Sequence, residues 1–186
     1  MRKVIAAFNM TLDGVCDHTT GIPSEDLHQH YSDLLDNTGV ILYGRKTYEL
    51  MQFWKTILQN PSSNISMDNF AISIDNVPKV VFSNTLKNTN WSSAKLSDSP
   101  LNGKVLELKQ QSGKDILVGS RSLIVQLLNS NLIDEFQICV HPIIEGEGLK
   151  LFDQITQRIM LKFIKTKTLT SGATVFYYQP LHKEHY

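Results

Sequence analysis

Val40-Ile41-Leu42-Tyr43-Gly44-Arg45-Lys46-Thr47 is an apolar run that stops at a glycine and continues as a polar stretch able to open a helix. Asp115-Ile116-Leu117-Val118-Gly119-Ser120-Arg121-Ser122 repeats the same grammar. Short apolar runs without polar alternation fit strands covered on both faces, as in a parallel sheet. Glycine at a strand-to-helix turn lets a ligand approach the backbone, and the free N–H groups of a first helical turn favour phosphate. Ligands of open α/β sheets gather at the carboxyl ends of strands. Arg45, Lys46 and Arg121 place positive charge at these turns. A tight corner with a surface arginine explains either turn alone. Two together suit a dinucleotide. Neither turn is G-x-G-x-x-G and no G-x-x-x-x-G-K-[ST] exists, so a nucleotide here is held in another way.

Working outward, Lys3–Asn9 reads as a buried first strand, central in the sheet because it is apolar on both faces. Asp13-Gly14, Gly21 and Pro23 mark a loop, and Ser24 caps a helix with Glu25 and Asp26 in its first turn. Helices are expected from Gly44 toward Trp54, near Asp68–Ile74, over Leu101–Gln111 and over Arg121–Asn129. Pro78–Phe82 is a third strand ended by Ser83-Asn84, with a further short strand near Trp91. After Leu132 come three strands rich in β-branched and aromatic residues, Glu135–Pro142, Met160–Leu169 and Thr174–Gln179, the last two joined at Ser171-Gly172. The order predicts an α/β fold, a mostly parallel sheet with antiparallel strands added late. One domain over residues 1–180 and a tail over 181–186 are expected.

Composition narrows the function. The 186 residues carry 18 basic and 18 acidic side chains, which gives no global reason to seek nucleic acid or anionic lipid. No run approaches the roughly 20 apolar residues of a membrane span, and Val4–Phe8 is too short for a signal sequence. Cys16 and Cys139 are isolated, which fits a reducing cytoplasm and no disulfide framework. His28 and His30, two apart on a helix, diverge and do not share an ion, so no metal is expected. His182 and His185 lie in the tail, and His141 precedes Pro142 at a strand end. Ser120 lacks the G-x-S-x-G elbow of a nucleophile. Asp13 and Asp26, flanking the loop beside the first strand, are the candidate catalytic acids. Against that, Asp13 is a turn former, and Glu25 and Asp26 are natural partners of a helix dipole. Ile143, Ile144 and Phe163 look exposed on late strands, which predicts a homodimer.

Several motifs in order resemble the dihydrofolate reductase-like superfamily, in the branch of the riboflavin-biosynthesis reductase domain (the C-terminal domain of the bacterial bifunctional deaminase-reductase) and its stand-alone relatives. They are Thr11-Leu12-Asp13-Gly14, Gly44-Arg45-Lys46-Thr47-Tyr48-Glu49, Leu117-Val118-Gly119-Ser120, Leu132-Ile133-Asp134-Glu135 with Pro142, Gly146, Gly148 and Leu151-Phe152, and the closing stretch from Ser171 to Pro180. The resemblance implies a central mixed sheet of about eight strands, a C-terminal antiparallel hairpin and, often, a dimer. It implies NADPH as cofactor, held at the pyrophosphate and 2′-phosphate by Gly44, Arg45, Lys46 and Thr47. Ser83 and Asn84 would meet the adenosine, and Gly119, Ser120, Arg121, Ser122 and Leu123 the pyrophosphate and nicotinamide half. It implies reduction of a pteridine- or pyrimidine-like small molecule, with Asp26 at the position of the family's substrate-binding acid. An NADP-binding module without turnover is the other reading.

Overall fold

Val4, Ile5, Ala6 and Ala7 are all buried, and their alternation sends side chains into two different cores. In a computed structural model that describes residues 1–181, this run opens β1 (Val4–Thr11), fifth of eight strands in the sheet. The other elements follow in chain order: α1 (Glu25–Asp36), β2 (Thr38–Gly44), α2 (Arg45–Met51), α3 (Phe53–Gln59), α4 (Ile65–Asn76), β3 (Lys79–Phe82), β4 (Ala94–Leu96), α5 (Leu101–Gln110), β5 (Asp115–Val118), α6 (Arg121–Asn129), β6 (Glu135–His141), β7 (Met160–Thr168) and β8 (Thr174–Leu181). The sheet order is β4-β3-β2-β5-β1-β6-β8-β7, parallel from β4 to β6, with β8 antiparallel to both its neighbours. This is the expected three-layer dihydrofolate reductase-like architecture. Val4 and Ala6 pack against α5 and α6 through Val105, Ile124 and Leu127, while Ile5 and Ala7 share a core with Leu34, Leu35, Phe70 and Ile74 of α1 and α4. Each valine, leucine or isoleucine side chain so buried contributes about 1.5–3 kcal/mol.

Helix boundaries follow their caps. Ser24 accepts from the Leu27 N–H at the start of α1. Asn64 accepts from the Ser66 and Met67 N–H groups, so α4 starts earlier than the Asp68–Ile74 expected from periodicity. The helix expected to run from Gly44 to Trp54 is two short ones that break at Gln52.

The strand expected near Trp91 lies instead at Ala94–Leu96. Trp91 is a buried plug whose Nε1 donates to Asp75 Oδ1 at 2.5 Å. Lys79 Nζ sits 4.2 Å from the centre of its ring and donates to the Ile74 and Val77 carbonyls and to Ser93 Oγ. The ammonium thus satisfies the orphan carbonyls at the end of α4, and burial lowers the pKa of Lys79 to about 8.

β8 is still covered on one face, where Val175 and Tyr177 share a small core with Leu27 of α1, but β7 is not. All nine residues of β7 are exposed, Phe163 and Ile164 among them, and Ile144 in the preceding loop is 75% exposed. Among the described residues no helix is long and apolar enough to cross a membrane. Leu181, expected in the tail, ends β8, and the rest of the expected tail, His182 and His185 included, falls outside the described residues.

Candidate cofactor and substrate site

Strand lengths create an opening at the carboxyl edge. β1 pairs with β5 only at Val4, Ile5 and Ala6, because β5 ends at Val118, while pairing with β6 continues to Thr11. In the ladder the Ile116 N–H reaches the Lys3 carbonyl on one side of β1, and the Asp134 N–H reaches the Val4 carbonyl on the other. Continuing that alternation turns the Ala7 carbonyl and the Asn9 backbone groups to the side that β5 has left. A flat amide-bearing ring can be read there by main-chain donors and acceptors. Neither Ala7 nor Asn9 was singled out in the sequence, because the opening depends on unequal partner strands.

The two glycine turns meet at this edge. The Gly44 N–H donates to Ser120 Oγ at 2.9 Å, a buried bond between residues 76 positions apart. A Cβ on Gly44 would stand 3.2 Å from Ser122 Oγ, and one on Gly119 would stand 3.0 Å from Tyr43 Cε1. A Cβ at either turn would therefore be tight, and Ser122 or Tyr43 would have to give by a few tenths of an ångström. No side chain caps α6, so its first N–H groups remain available to an anion beside the Ser122 hydroxyl. These features fit a dinucleotide.

The other predicted cofactor residues divide. Arg45 is half-exposed and pairs with Glu49 one helical turn on, at 3.0 Å. Lys46 is exposed and Thr47 half-buried. Ser83 Oγ accepts from the Thr85 and Leu86 N–H groups, closing the turn that displays Asn84 at the surface. Arg121 donates through Nε to the Lys150 carbonyl at 2.7 Å and pairs with Asp153. Leu123 is 4% exposed, its side chain in the core beneath the turn and its N–H on the Ser120 carbonyl.

The two candidate acids are held apart by different scaffolds. Asp13 accepts from Thr11 Oγ1 at 2.6 Å, from the Glu145 and Gly146 N–H groups and from Lys150 Nζ at 3.0 Å. These donors push its pKa far below the usual carboxylate range. It latches residues 12–17 to residues 143–151, alongside the Val15–Lys150 bridge and the bond from the Cys16 N–H to the Leu149 carbonyl. Gly148, at φ +131°, belongs to this zipper; a Cβ there would meet Val15 Cγ1 at 2.6 Å. Asp26 accepts from Ser24 Oγ at 2.5 Å and from the Thr170 N–H at 2.6 Å, and these bonds lower its pKa too. Neither carboxyl is held protonated, as a proton donor at neutral pH would need.

Between β1 and α1 lies the loop of residues 12–23. That loop is zipped down, and its Ile22 N–H bonds to His141. A hollow of about 420 Å³ lies between Glu25, Asp26 and Gln29 of α1 and the start of α4 at Ile65, Ser66 and Asn69. Behind it His28 bonds Ser66 Oγ and packs its ring edge-on against Trp54 and tilted against Phe70. A second hollow, of about 250 Å³, lies at the opposite, amino end of the sheet around Arg2, Lys109 and Asp134. No group of three or more metal-ligating side chains exists among the described residues.

Sheet order, late hairpin and paired glycine turns define the dihydrofolate reductase-like class. Within that class the chain belongs to the RibD C-terminal domain family, whose model matches residues 2–175. It is 33% identical over 181 residues to the uncharacterized protein YyaP of Bacillus subtilis, covering 95% of this chain and 94% of that one. Among solved structures, Acinetobacter baumannii RibD superposes with a TM-score of 0.69 at 16% identity, over 98% of this chain and 59% of that chain. The Thermotoga maritima diaminohydroxyphosphoribosylaminopyrimidine deaminase/5-amino-6-(5-phosphoribosylamino)uracil reductase gives 0.63 at 16% identity, over 97% of this chain and 57% of that chain. Those two likenesses carry the fold. The family is associated with the reductase activity of RibD.

Proposed function

We propose that the protein is an NADPH-dependent reductase of a pteridine- or aminopyrimidine-like small molecule. The observation that carries this reading is the open side of β1 beyond Ala6, flanked by two glycine turns bonded to each other at Gly44 and Ser120. NADPH, when bound, supplies the hydride. The uncapped start of α6, with Ser122, holds the pyrophosphate, and Arg45 at the neighbouring turn reads the 2′-phosphate. The backbone of Ala7 and Asn9 orients the nicotinamide amide. Asp26, ionised and beside the 420 Å³ hollow, accepts N–H groups of a substrate ring, and water brings the proton. Asp13 acts at a distance, by fixing the loop.

The second reading, an NADP-binding module without turnover, draws support from the same two carboxylates, since neither stores a proton. Titration with NADPH, then an oxidation screen with dihydrofolate and the phosphoribosylamino-uracil substrate of the RibD reductase, separates the two. Turnover supports the enzyme; binding with no turnover of either compound supports the module; no binding defeats both. A homodimer belongs to the proposal, because Phe163 and Ile164 are large apolar side chains exposed on β7. A monomer mass by light scattering at micromolar concentration would reject it.

A further inference from the structure

His141 ends β6 level with Thr11 of β1 and is 1% exposed, yet the proposed chemistry does not use it. Its two ring nitrogens meet different partners. Nδ1 lies 3.1 Å from the backbone N of Ile22, and Nε2 lies 3.2 Å from Asn9 Oδ1. A peptide N–H only donates, so Nδ1 accepts and the ring hydrogen of the neutral form sits on Nε2, where it donates to Asn9. Asn9 also lies beside the Tyr31 hydroxyl. Gly21 gives the loop its close approach, since a Cβ there would stand 3.3 Å from Nε2. The facing titratable groups are Cys139 on β6, with Sγ 3.8 Å from Nε2, and Tyr31 on α1, reached through Asn9.

We propose that His141 is a positioning residue of the site, whose neutral Nε2–H form clamps the Gly21–Ile22 end of the loop and orients the Asn9 carboxamide beside the open side of β1. The clamp stands on geometry alone; its catalytic consequence rests on the reductase reading. Protonating Nδ1 would set two donors face to face and release Ile22. Burial lowers the ring's pKa below its ordinary 6.5, so the clamp is complete above about 6.5 and weakens as pH falls toward the depressed value.

The test is amide hydrogen exchange of Ile22 in the full chain from pH 8 to pH 5, expressed as protection relative to the intrinsic rate at each pH. Loss of one hydrogen bond predicts protection falling about fivefold toward acid pH. His141→Asn, with an acceptor at the Nδ1 position, should keep the protection and lose its pH dependence. His141→Gln, with a donor at the Nε2 position, should leave Ile22 loose while holding Asn9. In turnover each should recover part of the KM lost in His141→Ala, because each restores one of the two bonds. Protection that is flat with pH in the unmodified protein, or undiminished in His141→Ala, overturns the clamp. Equal KM in His141→Ala and the unmodified protein overturns the positioning role. Should the alanine variant not fold, the pH series on the unmodified protein decides. Absence of any turnover defeats the reductase reading and leaves the exchange result standing.

Discussion

Arg45 and Arg121 each follow a glycine turn at the same edge of the sheet, and they are held very differently. Arg45 keeps 42% of its side chain exposed and pairs only with Glu49 on its own helix. Arg121 keeps 13%, bonds the Lys150 carbonyl and Asp153, and so ties α6 to the zipped loop that Asp13 latches. A surface pair one turn apart contributes a few tenths of a kcal/mol and yields easily to a phosphate. Charge-assisted bonds to a partly buried guanidinium contribute more and hold the side chain in place. On the proposed reading the arginine that meets the ligand is the weakly paired one, although in sequence the two turns look equivalent.

The largest effect expected from this contrast is on cofactor choice. Arg45→Ala should weaken NADPH about ten- to a hundredfold, the loss of a charge-assisted phosphate contact of about 1.5–3 kcal/mol, and leave NADH and the melting temperature nearly unchanged. Fluorescence titration with both cofactors checks it, and equal losses would return Arg45 to the surface. Arg121→Ala should behave in the opposite manner. Stability should fall by about 2 kcal/mol in urea unfolding, and NADPH and NADH should weaken alike. An Arg121→Ala variant of normal stability that prefers NADH would reverse the assignment of the two arginines.

The same contrast explains what could be read from the sequence. Val40–Tyr43 and Asp115–Val118 were legible because a strand covered on both faces needs no polar alternation, and glycine announced where each ended. Trp91 was misplaced because an aromatic residue suits a strand, while its actual partners, Lys79 and Asp75, come from elements 12 and more residues away. Asn64 caps α4 four residues ahead of the stretch whose periodicity marks the helix. At the site, composition marked the glycines and Arg45. It could not show that Ser120 accepts from Gly44, or that Asp13 is consumed by donors 132 to 137 positions later. The open side of β1 was illegible for a related reason. It arises from the difference between an eight-residue strand and a four-residue neighbour, which only register reveals.

Ser120 tests the bond that joins the two turns. Ser120→Ala removes the acceptor of the buried Gly44 N–H and should cost about 1 kcal/mol, seen as a lower urea midpoint at constant slope. NADPH and NADH should weaken together, because the bond sets the spacing of both turns. A variant of unchanged midpoint would mean that the turns hold their places without it.

The smallest effect concerns Glu49, and it isolates the weak pairing of Arg45. Both Glu49 oxygens lie within 3.1 Å of Arg45 Nη1, on a helix face open to solvent. A phosphate at this turn competes with Glu49 for the same guanidinium. Glu49→Gln keeps the size of the side chain and removes the competing charge, along with a few tenths of a kcal/mol of pairing. NADPH should therefore tighten by up to about twofold, NADH should not change, and the difference should shrink as added salt screens the exposed pair. Stability should move by less than the scatter of unfolding measurements. If Glu49→Gln weakens NADPH instead, the carboxylate is steering Arg45 toward the phosphate rather than competing with it. The pair then acts as a unit, and its exposure is no guide to the freedom of the arginine.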